Sequence, residues 1–118
     1  PYRDLEVIRN FRQSGLSFPS ELIMVRVSDQ KQIDRVIQLL HPRWVHVDVT
    51  RVDPASDDTL ELIRYARQRG LLVQVHAEGS MEDWNRLAKS GASMFHTTDP
   101  ASVLSFSRSF LHDTAEPR

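Results

Sequence analysis

From Glu21 onward the chain repeats one unit four times: a short strand rich in β-branched residues, then an amphipathic helix, recurring every two dozen residues or so. The strands read as residues 21–28 (ELIMVRVS), 44–50 (WVHVDVT), 71–78 (LLVQVHAE) and 93–99 (SMFHTTD). Strand-helix alternation of this kind builds a parallel sheet with crossover helices. Sheets of that class place ligands at the carboxyl ends of their strands. In this chain those ends carry Arg26, Ser28, His46, Asp48, His76, Glu78, His96 and Asp99.

The connections fit the repeat. Leu5, Ile8 and Phe11 give residues 2–13 a helical stripe that Ser14-Gly15 ends. Ser28 is a candidate cap for a helix with Ile33, Val36, Ile37 and Leu40 on one face, closed by His41-Pro42. The polar loop over residues 51–57 leads to Ser56, which can cap a helix ending at Gly70. Ser80 precedes Met81-Glu82-Asp83, an acidic first turn that suits the helix dipole. That helix turns Met81, Trp84, Leu87 and Ala88 inward and stops at Gly91; Trp84 therefore reads as core. Pro100 opens a last helix over residues 100–111, and the polar residues 112–118 read as a flexible tail.

A chain of 118 residues is one domain. Its net charge of -1, with dispersed Lys and Arg, argues against nucleic acid as a partner. Zero cysteines exclude disulfides and thiolate chemistry. No apolar run is long enough for a membrane span, and no targeting segment is visible. The compartment therefore defaults to the cytoplasm, with secretion left open.

Alternation along the strands separates two faces. Val45, Val47 and Val49 oppose Trp44, His46, Asp48 and Thr50; Leu71, Val73, Val75 and Ala77 oppose Leu72, Gln74, His76 and Glu78. The apolar faces must meet the helices. The polar stripes then line the other side of the sheet, which in a closed barrel is the interior. The expected fold class is thus α/β: a parallel (β/α)4 unit, half of a (β/α)8 TIM barrel, preceded by one helix. An open sandwich would want apolar residues on both faces.

Two imidazoles and two carboxylates on neighbouring strands suit an acid/base pair, with His46, Asp48 and His76 as the candidate catalytic set. The same groups suit a divalent cation, or a polar network that merely satisfies itself. Arg26, Glu78, His96 and Asp99 are candidate contacts for a phosphorylated small molecule; Arg26 can equally pair with Asp48 or Glu21. For the last strand the facing stays open: either Phe95 and Thr97 or Met94, His96 and Thr98 point inward. With four strands and two exposed edges, the chain is expected to associate with a second copy or with a missing amino-terminal half-barrel.

Residues 65–104, YARQRGLLVQVHAEGSMEDWNRLAKSGASMFHTTDPASVL, resemble the end of a glycerophosphodiester phosphodiesterase domain. That family closes with A-R-x-x-G-L-x-V-x-V-W-T, a helix, then G-V-D-G-I-I-T-D-x-P. Ala66, Arg67, Gly70, Leu71, Val73, Val75, Gly91, Thr97 and Pro100 match. The resemblance implies that strands five to eight of the barrel are present and that residues 2–15 form its fourth helix. The family's H-R-G histidine, acidic metal ligands and second histidine belong to the first half, and none of those motifs occurs here. His76 replaces the family's mouth tryptophan, and Asp99 lies at or beside its terminal aspartate. The implied function is phosphodiester hydrolysis or phosphorylated-ligand binding, inactive as an isolated half.

A second resemblance spans residues 22–98. Pentulose-phosphate 3-epimerases carry W-h-H-V-D-V-M-D-G and D-V-H-L-M on successive strands, against W-V-H-V-D-V-T and V-Q-V-H-A here. It implies a metal on His46, Asp48 and His76, although the catalytic aspartate of M-D-G is missing. The remaining expectation is a non-catalytic, self-associating half-barrel.

Overall fold

The computed structural model describes Asn10 and residues 23–49 and 52–115; the leading helix expected over residues 2–13 lies, Asn10 apart, outside them. The described chain runs β1 (Met24–Val27), α1 (Gln30–Leu40), β2 (Trp44–Val47), α2 (Asp57–Gln68), β3 (Leu72–His76), α3 (Met81–Ser90), β4 (Met94–His96) and α4 (Pro100–Ala115). The strands pair in chain order, β1-β2-β3-β4, and every pair is parallel. This is the (β/α)4 unit that the sequence repeat calls for.

Register explains why one face is apolar. Val25 aligns with Val45 and Val73, and two residues on Val27 aligns with Val47, Val75 and Phe95. The six valines are all buried, five of them completely. Burying each contributes about 1.5–3 kcal/mol before chain entropy is charged against it. Ile33, Val36 and Leu40 of α1, Leu62, Ile63 and Ala66 of α2, and Leu87 of α3 pack onto this block. Trp84, Val103 and Phe106 form a second cluster that seats α4 beside α3, with Phe95 packed against both clusters. Trp84 is core, as its helical position implies, and its indole N–H donates to the Glu78 carbonyl at 3.0 Å.

Helix ends follow local chemistry with one correction. Asp29, not Ser28, caps α1: its carboxylate accepts from the Gln32 amide at 2.8 Å, while the Ser28 amide donates to Gln32 Oε1. A charged acceptor outcompetes the neighbouring hydroxyl at a helix start. Ser56 and Ser80 cap α2 and α3 as expected, and Ser80 and Asp83 form a reciprocal capping box. Gly91, at φ 122°, ends α3 where an added Cβ would lie 2.6 Å from Arg67 Cγ. Only glycine meets both demands. α4 continues past Leu111 to Ala115, farther than its apolar spacing indicates.

On the outer surface Tyr65 donates to Asp34 at 2.8 Å, and Arg69 lies over the Tyr65 ring with its Nε 3.4 Å from the same carboxylate. These contacts tie α1 to α2 across their polar faces. Tyr65 is thereby held above its ordinary phenol pKa, chiefly because its hydroxyl donates to Asp34.

Leu87→Ala should lower unfolding free energy by about 2–5 kcal/mol, the range for a fully enclosed leucine, in urea titrations followed by circular dichroism. Leu104→Ala, at a position 52% exposed, should change it by less than about 0.5 kcal/mol.

Candidate functional site

The face opposite the helices carries the polar residues. Arg26 on β1 aligns with His46 on β2 and Gln74 on β3, and one pleat farther along His76 on β3 aligns with His96 on β4. Asp48 follows directly after β2 on the same side as His46. The two-residue side-chain period that sends the valines under the helices sends these groups the other way. It also settles the facing of the last strand: Phe95 points to the core and His96 to the polar face.

Three imidazoles run diagonally across the sheet. The rings of His46 and His76 have centroids 4.7 Å apart at 77°, and those of His76 and His96 are 4.9 Å apart at 70°. His46 is 8% exposed, His76 is half-buried and His96 is exposed. His46 Nδ1 lies 2.8 Å from Gln74 Oε1, and the Gln74 amide nitrogen donates to Met94 Sδ at 3.2 Å. With the glutamine oxygen accepting, His46 carries its proton on Nδ1.

That arrangement exposes an imbalance at the other ring nitrogen. His46 Nε2 is sealed from solvent and has no hydrogen-bond partner among the described residues. Asp48 Oδ1 lies 3.5 Å away, too long for a good hydrogen bond but within ion-pair range. In neutral His46 a lone pair faces a carboxylate; in protonated His46 an N–H does. Arg26 Nε reaches the same Asp48 oxygen at 3.4 Å. Asp48 is therefore shared between a guanidinium and an imidazole. Because Arg26 and Asp48 are 57% and 46% exposed, their pair contributes about 0–1 kcal/mol to stability. Its consequence is positional: Arg26 is anchored through Nε, and its terminal nitrogens have no ion-pair partner among the described residues.

His76 sits at the centre of the row. Burial lowers its pKa below the ordinary imidazole value, and the neighbouring His46 and His96 lower it further, against smaller opposing effects of Asp48 and Glu78. Asp99, also expected as a contact, is engaged at a helix start. Asp99 Oδ1 accepts from the Ser102 amide at 3.3 Å at the start of α4, and hydrogen bonds from Ser102 hold its carboxyl below the usual range. Glu78 sits just past β3, where its carbonyl receives Trp84 and its charge is felt by His76. Arg26, His46, Asp48, His76 and His96 thus come together, while Asp99 serves as a helix cap. Gln74 is the member that residue types alone do not single out; its place opposite His46 is the signal.

Among the described residues no three His, Asp or Glu side chains are grouped to hold a metal ion, so His46, Asp48 and His76 do not form the ligand set that the epimerase resemblance implies. A concavity of about 280 Å³ lies elsewhere, between the first turns of α1 and α2, rimmed by Asp29, Asp58 and Glu61. Its acidic lining is the reverse of what an anionic ligand requires. Among the described residues no helix is long and apolar enough to cross a membrane. Comparison with protein-family models, with curated proteins and with solved structures finds no match to this chain.

The lowered His76 pKa has a sign for stability. Above both pKa values the ring is neutral whether folded or unfolded. As pH falls below about 6.5 the unfolded chain takes up the proton first, so stability is lost until pH has dropped through the lower folded value. In chelator-containing buffer, thermal melts should show this acid-side loss, and His76→Gln should reduce it; a pH-independent melt between neutrality and mild acid would contradict the assignment.

Proposed function

We propose that this chain is the carboxyl-terminal half of a phosphodiesterase-like (β/α)8 barrel, whose open sheet face holds the phosphate of a small phosphorylated molecule. The observation that carries this reading is Arg26 tethered by Asp48 beside His46, next to His76 and His96 at the carboxyl ends of adjacent strands. A guanidinium anchored through Nε presents its terminal nitrogens as a fork, the geometry that matches phosphate oxygens. The imidazoles add N–H donors beside it. Resemblance to the closing segment of glycerophosphodiester phosphodiesterases supports the same assignment, with His76 at the family's tryptophan position.

Binding and turnover separate on this reading. The family's H-R-G histidine, acidic metal ligands and second histidine have no counterpart here. His46, Asp48 and His76 can orient a ligand and exchange a proton with it, and hydrolysis requires the groups that an amino-terminal half contributes. A parallel sheet covered on one face only is rare; among the described residues the helices pack on one face of this sheet, and β1 and β4 are its edges. A second half-barrel, another copy or an amino-terminal half, would pair those edges and enclose the histidines.

Glycerol 3-phosphate titrated into ¹⁵N-labelled protein should shift resonances at Arg26, His76 and His96, and Arg26→Ala should weaken binding by about tenfold or more, as expected for loss of a charge-assisted contact. No saturable binding, or binding indifferent to Arg26→Ala, would refute the reading. The isolated chain should leave glycerophosphodiesters uncleaved. Light scattering should give a mass above the 13.6 kDa of one chain. A monomer at every concentration would remove self-association and leave the amino-terminal half as the completing partner.

A further inference from the structure

His76 and His96 face each other at one step of the β3–β4 register, and their Nδ1 atoms lie 3.1 Å apart. Two imidazole lone pairs at that distance repel unless something electropositive joins them. One proton satisfies a single arrangement, with one ring donating to the other. A metal cation satisfies both rings at once: two bonds of about 2.0–2.1 Å span such a gap at an N–metal–N angle of about 100°, close to tetrahedral.

The surroundings favour the cation. His46 sits edge-on to His76 and is itself held by Gln74, which limits the orientations open to the His76 ring. His96 is exposed, so the approach is open from solvent. No cysteine competes for a thiophilic ion.

We propose that His76 and His96 form a two-histidine site for a borderline transition-metal dication such as Zn²⁺ or Ni²⁺, with water or a ligand oxygen in the remaining positions. Two nitrogen donors select such ions over Mg²⁺ and Ca²⁺, which require oxygen ligands. Among the described residues no third His, Asp or Glu completes the set. The site is therefore open and exchangeable rather than structural. It does not depend on the phosphate reading, since the metal alone is the probe.

The untagged, chelator-stripped chain is titrated with Zn²⁺ or Ni²⁺ in phosphate-free buffer, with calorimetry for affinity and, for the diamagnetic Zn²⁺, ¹⁵N ring resonances for location. One ion per chain is expected, with Zn²⁺ shifting the Nδ1 signals of His76 and His96 and leaving His41 unmoved. His76→Ala and His96→Ala should each weaken binding on the order of tenfold or more, since loss of a merely supporting group already costs a metal site that much. His41→Ala should leave it unchanged, and excess Mg²⁺ should not displace the ion. Absence of saturable binding, or binding that survives His96→Ala at full strength, overturns the proposal. His96 is on the exposed last strand, so its variant keeps the test available if His76→Ala does not fold.

Discussion

Everything in this molecule depends on the pleat. Side chains on a strand alternate between two faces, and parallel pairing in fixed register turns that alternation into rows that continue across the sheet. Val25–Val45–Val73 and Val27–Val47–Val75–Phe95 are two such rows, and they present a continuous apolar surface to the helices. The polar rows follow from the same register. Slipping β2 by one residue would bury His46 and Asp48 under α1 and α2 and turn Val45 and Val47 outward. Burying the Asp48 carboxylate there and exposing two valines would cost several kcal/mol, which rules that slip out. The core and the candidate site are thus one constraint seen from opposite faces of the sheet.

The polar face has a graded electrostatic structure. At one end Arg26 and Asp48 are well solvated, and their attraction mainly restricts where the guanidinium can go. In the middle, His46 is enclosed and bonded on one nitrogen, while its other nitrogen faces the Asp48 carboxylate with no hydrogen-bond partner among the described residues. At the far end His76 and His96 face each other nitrogen to nitrogen. There one ring donates and the other accepts, so a single proton serves both nitrogens.

How much of this could be read from residues alone varies with the range of the interaction. The valine alternation, the Ser56 and Ser80 caps, the glycine stops at Gly70 and Gly91 and the helix start at Pro100 are local, and local rules place them. Two adjacent polar residues before α1 leave the cap undecided, because Ser28 and Asp29 both carry suitable oxygens; the charged one takes the role. The strand 93–99 gives no clear alternation, so His96 acquires its facing only when β4 docks beside β3. Asp99 is the instructive case. Its position just past a strand suits a ligand contact, yet the amide at Ser102 is nearer and claims it. Gln74 and the Tyr65–Asp34–Arg69 group depend on partners some thirty residues away, beyond the reach of any spacing rule.

The most direct measurement of the central claim is a set of proton–proton NOEs from the imidazole rings. Juxtaposed histidines on the face opposite the helices require cross-peaks between His46 and His76 and between His76 and His96, and none from these rings to the methyl groups of Ile33, Ile63 or Leu87. Ring contacts with those methyls, or the absence of contacts among the rings in a folded chain, would contradict the account.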